Sequence, residues 1–337
     1  MRRSISGAGL VYLRRHPDRV RAIILDGLAP VAMKLPLYMG IDARRALDLL
    51  MTDCAADRGC SAAYPDLETQ LQTLLKTLQA GPVCHTIDHP RTGEPTEVVV
   101  SRTSFAANVR APLYSPELAA LLPLAIARAA EGDYAPLAAM ASSFAGDASL
   151  NTGMFLSVVC SEDVPAITAA DRELAAADPF FGTVCLESFD ALRAAWPRGT
   201  LPDGYGDPVQ SDRPVLLLSG LLDPVTPPRW AAAVAQTLTN ARAVTVPGVG
   251  HGTMAAGCIP DLMAEFIEQG SAEGLDIACV EEIVRPRFFD SMLGPAGFLR
   301  KRPNAEDGWA QHRFLPVVPL PGARNELSRC CLASRAC

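Results

Sequence analysis

Two short stretches of the chain hold residues able to share one proton. "PVLLLSGLLDPVTPPRW" (214–230) sets Asp223 just past an apolar run, and "VPGVGHG" (246–252) sets His251 among Gly248, Gly250 and Gly252. A carboxylate that orients an imidazole makes a general base. Such a base removes the proton of a hydroxyl, whose oxygen can then attack a carbonyl. Each residue also has an ordinary use. An Asp after a strand is a common turn former or helix cap, and a histidine between glycines is often only a loop residue. Two apolar strand patterns, each ending in a turn with one of these residues and separated by one helix, favour the chemical reading. The glycines allow the tight turn that would bring an imidazole over a sheet.

The elements that must position the pair can be read outward from it. Val215 to Ser219 reads as a buried strand. Thr226 is a good N-cap before Pro227 and Pro228, with a helix to about Leu238. Ala243 to Val246 reads as a second strand, and Pro260 to Gly270 as a helix with its stop glycine in place. Near the start, Gly7 to His16 reads as a helix ending before Pro17. "RAIILDG" (21–27) follows, a continuous apolar run of the kind a parallel strand buried on both faces shows. Between Pro30 and Asp212, helical patterns rich in Ala and Leu occupy 41–52, 66–79, 116–131, 134–144 and 168–176. A small hairpin around Arg91 to Glu94 and a Pro/Gly-rich linker, "WPRGTLPDGYGDPVQSDRP", interrupt them. Helix–strand, helical insertion, then strand–helix–strand–helix defines an α/β class. After about Pro295 the prolines scatter and no period persists, which predicts a poorly ordered tail.

Composition narrows the function classes. The chain has 337 residues, 49% hydrophobic and 20% charged, with a net charge of -7. That length buries a large core, and an acidic chain without a basic, aromatic-interleaved patch is no nucleic-acid binder. No window is long and apolar enough for a membrane span. "MRRSISGAGL" has a charged start but no apolar stretch behind it, so no signal peptide is read. This leaves a cytoplasmic chain or a start lying upstream. Three cysteine pairs lie close in sequence, Cys54/Cys60, Cys160/Cys185 and Cys258/Cys279. Disulfides, which would fit export, and free buried thiols suit them equally. "CHTIDHP" offers Cys84, His85 and His89 as metal ligands. It lacks a second Cys pair, and Pro90 discourages the helix that histidines four apart require, so neither a metal nor another cofactor is expected.

"YLRRHPDRVRAIILDGLAP", "CSED", "LLLSGLLDPVTPP", "VPGVGHG" and "GCIPDLMAEFIEQGSAEGLDIACV" together resemble the α/β-hydrolases of the tripeptidyl/prolyl aminopeptidase (TAP-like) group, over roughly residues 9–295. The resemblance implies a partial α/β-hydrolase fold: parallel strands six to eight with a large helical cap insertion. It implies a core start at 1–29, a cap at 30–212, a C-terminal core at 213–295 and a tail at 296–337. It implies a serine hydrolase, often exported, that releases residues from peptide N-termini, with a carboxylic ester hydrolase as the alternative. The acid falls on Asp223 and the base on His251. The resemblance also suggests that Glu162 or Asp163 holds the substrate's ammonium group, a strong charge-assisted contact. The ordinary reading of Ser161 followed by acids is a helix start.

The nucleophile fits least well. In that family the helix containing "YLRRHPDRV" begins with a G-x-S-x-G elbow, whose glycines permit a strained strand-to-helix turn. Here the position reads Arg2-Arg3-Ser4-Ile5-Ser6-Gly7, and neither serine has the flanking glycines. Ser4 is the best available candidate. The strands and the oxyanion loop that precede the elbow in the family are also missing, so the reading frame is expected to begin late or to have shifted. Without the preceding strand, Ala22 to Leu25 would stand as an exposed apolar edge. An inactive remnant that only binds peptides or a partner is the reading from another class. Oligomeric state is not legible.

Overall fold

The computed structural model describes residues 2–89, 92–144, 152–178 and 180–295, with only the backbone described at 2–6 and 141–144. These residues fall in the first of two units of the chain, Met1–Phe298; the expected tail lies outside the described residues. Helix α1 (Arg2–Arg15) leads into β1 (Ile23–Asp26). Ten helices and a hairpin follow: α2 (Leu35–Ala56), α3 (Arg58–Ala63), α4 (Leu67–Ala80), β2 (Val83–Asp88), β3 (Pro95–Val100), α5 (Arg102–Arg110), α6 (Pro116–Ala119), α7 (Leu122–Ala130), α8 (Ala135–Phe144), α9 (Thr152–Glu162), α10 (Ala169–Ala176) and α11 (Val184–Ala195). The α/β pattern then resumes with β4 (Val215–Gly220), α12 (Pro228–Ala235), β5 (Ala241–Val246) and α13 (Ile259–Gln269).

The sheet order is β1-β4-β5, and both pairings are parallel, with Leu25 opposite Leu217 and Leu217 opposite Ala243. All six residues of β4 are buried. Alternate side chains leave opposite faces of a strand. Val215 and Leu217 pack with Leu10 and Leu13 of α1 and Val234 of α12, while Leu216 and Leu218 pack with Leu262 and Phe266 of α13. Two covered faces explain why the strand reads as an unbroken apolar run. β1 forms one end of the sheet, with Ile23 and Ile24 only partly buried.

The helices between β1 and β4 share their own core, which includes Leu47, Leu50, Leu71, Phe105, Leu122 and Phe180. In α4 the buried residues are Leu67, Leu71, Leu74, Leu75 and Leu78, the spacing of one helical face. Capping boxes start α5 at Ser101 and α10 at Thr168. The single helix expected over 116–131 is instead α6 and α7, because Pro123 lies in the first turn of α7 and cannot continue a helix from Ala119. The hairpin forms as β2 and β3; Arg91 lies outside the described residues.

Two of the three cysteine pairs are bonded, Cys54–Cys60 and Cys258–Cys279. The third is not. Cys160 is buried on α9 and Cys185 half-buried on α11, both as free thiols, and burial pushes both pKa values up. Among the described residues no single helix is long and apolar enough to cross a membrane.

Candidate active site

β4 ends at Gly220, and the next amides knit its turn to the end of β5. Leu221 N–H donates to the Val246 carbonyl and Leu222 N–H to that of Val249. The turn therefore holds its acid beside the histidine loop by backbone bonds. Asp223 is fully buried, at 0% exposure. Its Oδ1 accepts from Val225 N–H at 2.7 Å and Thr226 N–H at 2.9 Å. Its Oδ2 accepts from the Thr226 hydroxyl at 2.8 Å and lies 2.8 Å from His251 Nδ1. Burial alone would raise the Asp223 carboxyl's pKa. The charge of His251, its hydrogen bond and the bonds from Thr226 outweigh burial, so the net direction is down. The carboxylate stays ionised and fixes which ring nitrogen faces it.

Thr226 does not cap the next helix as expected. Pro227 occupies the cap position of α12 without a side-chain bond. The Thr226 hydroxyl points back to Asp223 and sits 3.2 Å from His251 Nδ1. A buried carboxylate with unfilled lone pairs offered it a stronger partner than an exposed helix end.

Two features of the histidine loop escaped the sequence reading. Asp26, the last residue of β1, accepts from Thr253 N–H at 2.8 Å, the Thr253 hydroxyl at 3.0 Å and Met254 N–H at 3.2 Å. Thus β1 clamps the loop two residues beyond His251. Next to it, Gly27 has φ +61°, and a Cβ there would lie 3.2 Å from His251 Cε1. The glycine leaves room for the ring in a conformation other residues resist. An acid and a glycine ending an apolar strand were visible in "RAIILDG", but nothing local showed what they would meet.

The helical region also touches the ring. His251 N–H donates to the Tyr114 carbonyl at 3.1 Å, and the two rings meet edge to face at 5.5 Å. Arg110 Nη2 donates to the Tyr114 hydroxyl at 2.9 Å. A Cβ on Gly250 would run into that same Tyr114 carbonyl, so glycine permits this approach.

The structure separates the two proposed ammonium ligands. Asp163 is buried, at 1% exposure. Glu162 ends α9 rather than starting a helix, so the expectation of an acidic helix start does not hold. An acid at a helix C-terminus is disfavoured by the macrodipole, which makes its placement there informative. Its Oε2 accepts from the Tyr205 hydroxyl at 2.7 Å. Glu162 and Tyr205 line a cavity of about 430 Å³ with Tyr12, Arg15 and Val31; Asp163 does not. Arg14 secures that wall by donating to the carbonyls of Gly204, Tyr205 and Asp207. Leu156 and Val159 of α9 pack in one cluster with Ala29 and Val225, which ties this wall to the Asp223 turn.

Ser4 lies in the first turn of α1, with helical backbone, and its side chain is outside the described residues. Cys84 is exposed, His85 packs against the Tyr134 ring, and His89 Nδ1 accepts from Thr92 N–H. Among the described residues no group of three His, Cys, Asp or Glu side chains could hold a metal ion.

Three parallel strands, helices on both faces, and an acid and a histidine in turns past adjacent strand ends make up the α/β-hydrolase type of arrangement. Residues 178–279 match the family described as TAP-like protein, a segment that contains both Asp223 and His251. Over that segment the chain is similar to the TAP-like α/β-hydrolases, and the match supports a hydrolase. No curated protein matches it.

Proposed function

We propose that the chain is a serine hydrolase that releases residues from the N-termini of short peptides. The supporting observation is the 2.8 Å contact between the buried Asp223 carboxylate and His251 Nδ1. In this reading β1, β4 and β5 are strands six, seven and eight of the hydrolase sheet, and the helices from Pro30 to Asp212 are its cap. His251 Nε2 takes the proton of the attacking hydroxyl, for which Ser4 is the candidate. The oxygen bonds to the substrate carbonyl carbon, and the imidazolium returns the proton to the departing amine. Water then repeats the cycle to free the acyl group. Asp223 holds the ring and stabilises its cationic form. Glu162, oriented by Tyr205 at the cavity wall, receives the substrate ammonium; Asp163 supports the same end of α9.

The test compares an aminoacyl-coumarin amide, its N-acetylated form and a p-nitrophenyl ester. Hydrolysis of the free-amino substrate should be lost in His251→Ala and Ser4→Ala, and Glu162→Gln should raise KM for it with kcat kept. Turnover of the ester alone would make the chain a carboxylic ester hydrolase. Undiminished hydrolysis in His251→Ala would overturn the reading. The helical backbone at Ser4 favours one second reading, a module that binds peptides without cleaving them. Calorimetry with a free-amino tripeptide would then show binding without turnover.

A further inference from the structure

Behind the acid turn, helix α2 presents three residues on one face. Tyr38, Asp42 and Arg45 lie four and three residues apart, so all three meet the segment Leu221–Trp230. Arg45 is half-buried, and its Nη2 donates to the Leu221 carbonyl at 2.9 Å, two residues before Asp223. Its Nη1 is buried without a hydrogen-bond partner. Asp42 is 1% exposed. It accepts from Trp230 Nε1 at 3.0 Å and pairs with Arg229 Nη2 at 2.7 Å. The Arg229 guanidinium lies over the Tyr38 ring at 4.8 Å and the Trp230 ring at 4.5 Å.

Apolar side chains would hold α2 against this turn without desolvating charges. An alternating set of charges, with Asp42 buried, Arg45 half-buried and Arg229 half-exposed, points to an electrostatic task. Asp223 is the buried charge next to them. Burial pulls the Arg45 pKa down against the opposing fields of Asp42 and Asp223; burial raises the Asp42 pKa against its bonds from Arg229 and Trp230, and the Asp223 charge adds to that rise.

We propose that Arg45 and Asp42 are positioning residues of the Asp223–His251 pair: opposite charges on α2 that fix the acid turn and set how tightly the imidazole holds its proton. The proposal rests on reading Asp223–His251 as a working acid–base pair. The other groups packed around the pair are Thr226 in its own turn, Asp26 from β1, and Tyr114 from the turn after α5 with Arg110 at the end of that helix; Arg229 from α12 faces Asp42.

The signs separate electrostatics from packing. Removing a cation near an imidazolium raises its pKa, and removing an anion lowers it. Simple loosening of the Asp223–His251 contact lowers it in every variant. The experiment is an NMR titration of the His251 Cε1 proton in the full chain, assigned by its loss in His251→Gln. Arg45→Met should raise the His251 pKa by about half a unit and Asp42→Asn should lower it by about as much. Arg229→Gln, at a half-exposed position, should also raise it, and it serves as the second cation variant if Arg45→Met does not fold. Shifts of the same sign for cation and anion variants, or no shifts, would overturn the proposal. If the catalytic reading alone fails, peptide turnover is absent while the opposed shifts remain. If only the charge proposal fails, turnover persists and the shifts vanish.

Discussion

Leu217 in the middle of β4 and Leu50 in α2 are equally buried, at 0% exposure, yet their surroundings serve the site differently. Around Leu217, parallel strands and the turns after them place Asp223 and His251 through backbone hydrogen bonds, because Leu221 and Leu222 pair directly with the end of β5 and its loop. Around Leu50, helices pack into a separate core. That region reaches the pair through isolated links, the Tyr114 carbonyl to His251 and Arg45 to the Leu221 carbonyl. The sheet sets where the two groups lie, and the helices hold the turns that carry them through single hydrogen bonds.

The largest test of this division concerns turnover. His251→Ala should reduce peptide hydrolysis by about 10⁶-fold, and Asp223→Asn by about 10⁴-fold. Asp223 also carries a pH signature. Its folded pKa lies below the ordinary carboxylate value, so its stabilisation is complete above about pH 4 to 5 and is lost as pH falls through the folded value. Asp223→Asn should therefore flatten the acid limb of a denaturation series. An unchanged acid limb would mean that Asp223 is not held ionised as described.

Core truncations come next. Leu217→Ala and Leu50→Ala should each cost about 2–5 kcal/mol in urea unfolding. Only Leu217→Ala should also disturb the His251 titration; equal disturbance by both would erase the contrast. The disulfides give a smaller pair. Replacing both members of Cys258–Cys279, a separation of 21 residues, should cost about 3 kcal/mol, and replacing Cys54–Cys60, a separation of 6, about 2. Thermal melts of the two double-alanine variants check the order. The smallest effect should come from Asp26→Asn, which keeps an acceptor but loses the charge, at about 1–2 kcal/mol. It should speed amide exchange at Thr253 and Met254 while leaving helical-region amides unchanged.

The sequence showed most of what is written in short range. A strand buried on both faces has to be apolar throughout, so β4 was legible, as was the residue that ends its turn. Gly270 stops α13 at φ +65° where the stop was expected. Relations between distant segments were not legible. Asp26 meets Thr253 and Asp42 meets Trp230, and neither pairing leaves a periodic trace. Thr226 misled because an N-cap and a carboxylate partner share one residue type. Cys160 and Cys185 stayed open between disulfide and free thiol because closeness in sequence does not set the geometry a disulfide needs.

The most direct measurement is a fluorophosphonate probe on the folded chain, with the adduct located by peptide mass spectrometry. If His251 activates a serine with Asp223 behind it, a single serine adduct forms in the wild type and disappears in His251→Ala. Equal labelling in His251→Ala, or a folded wild type that takes no label, would contradict the hydrolase assignment of the pair.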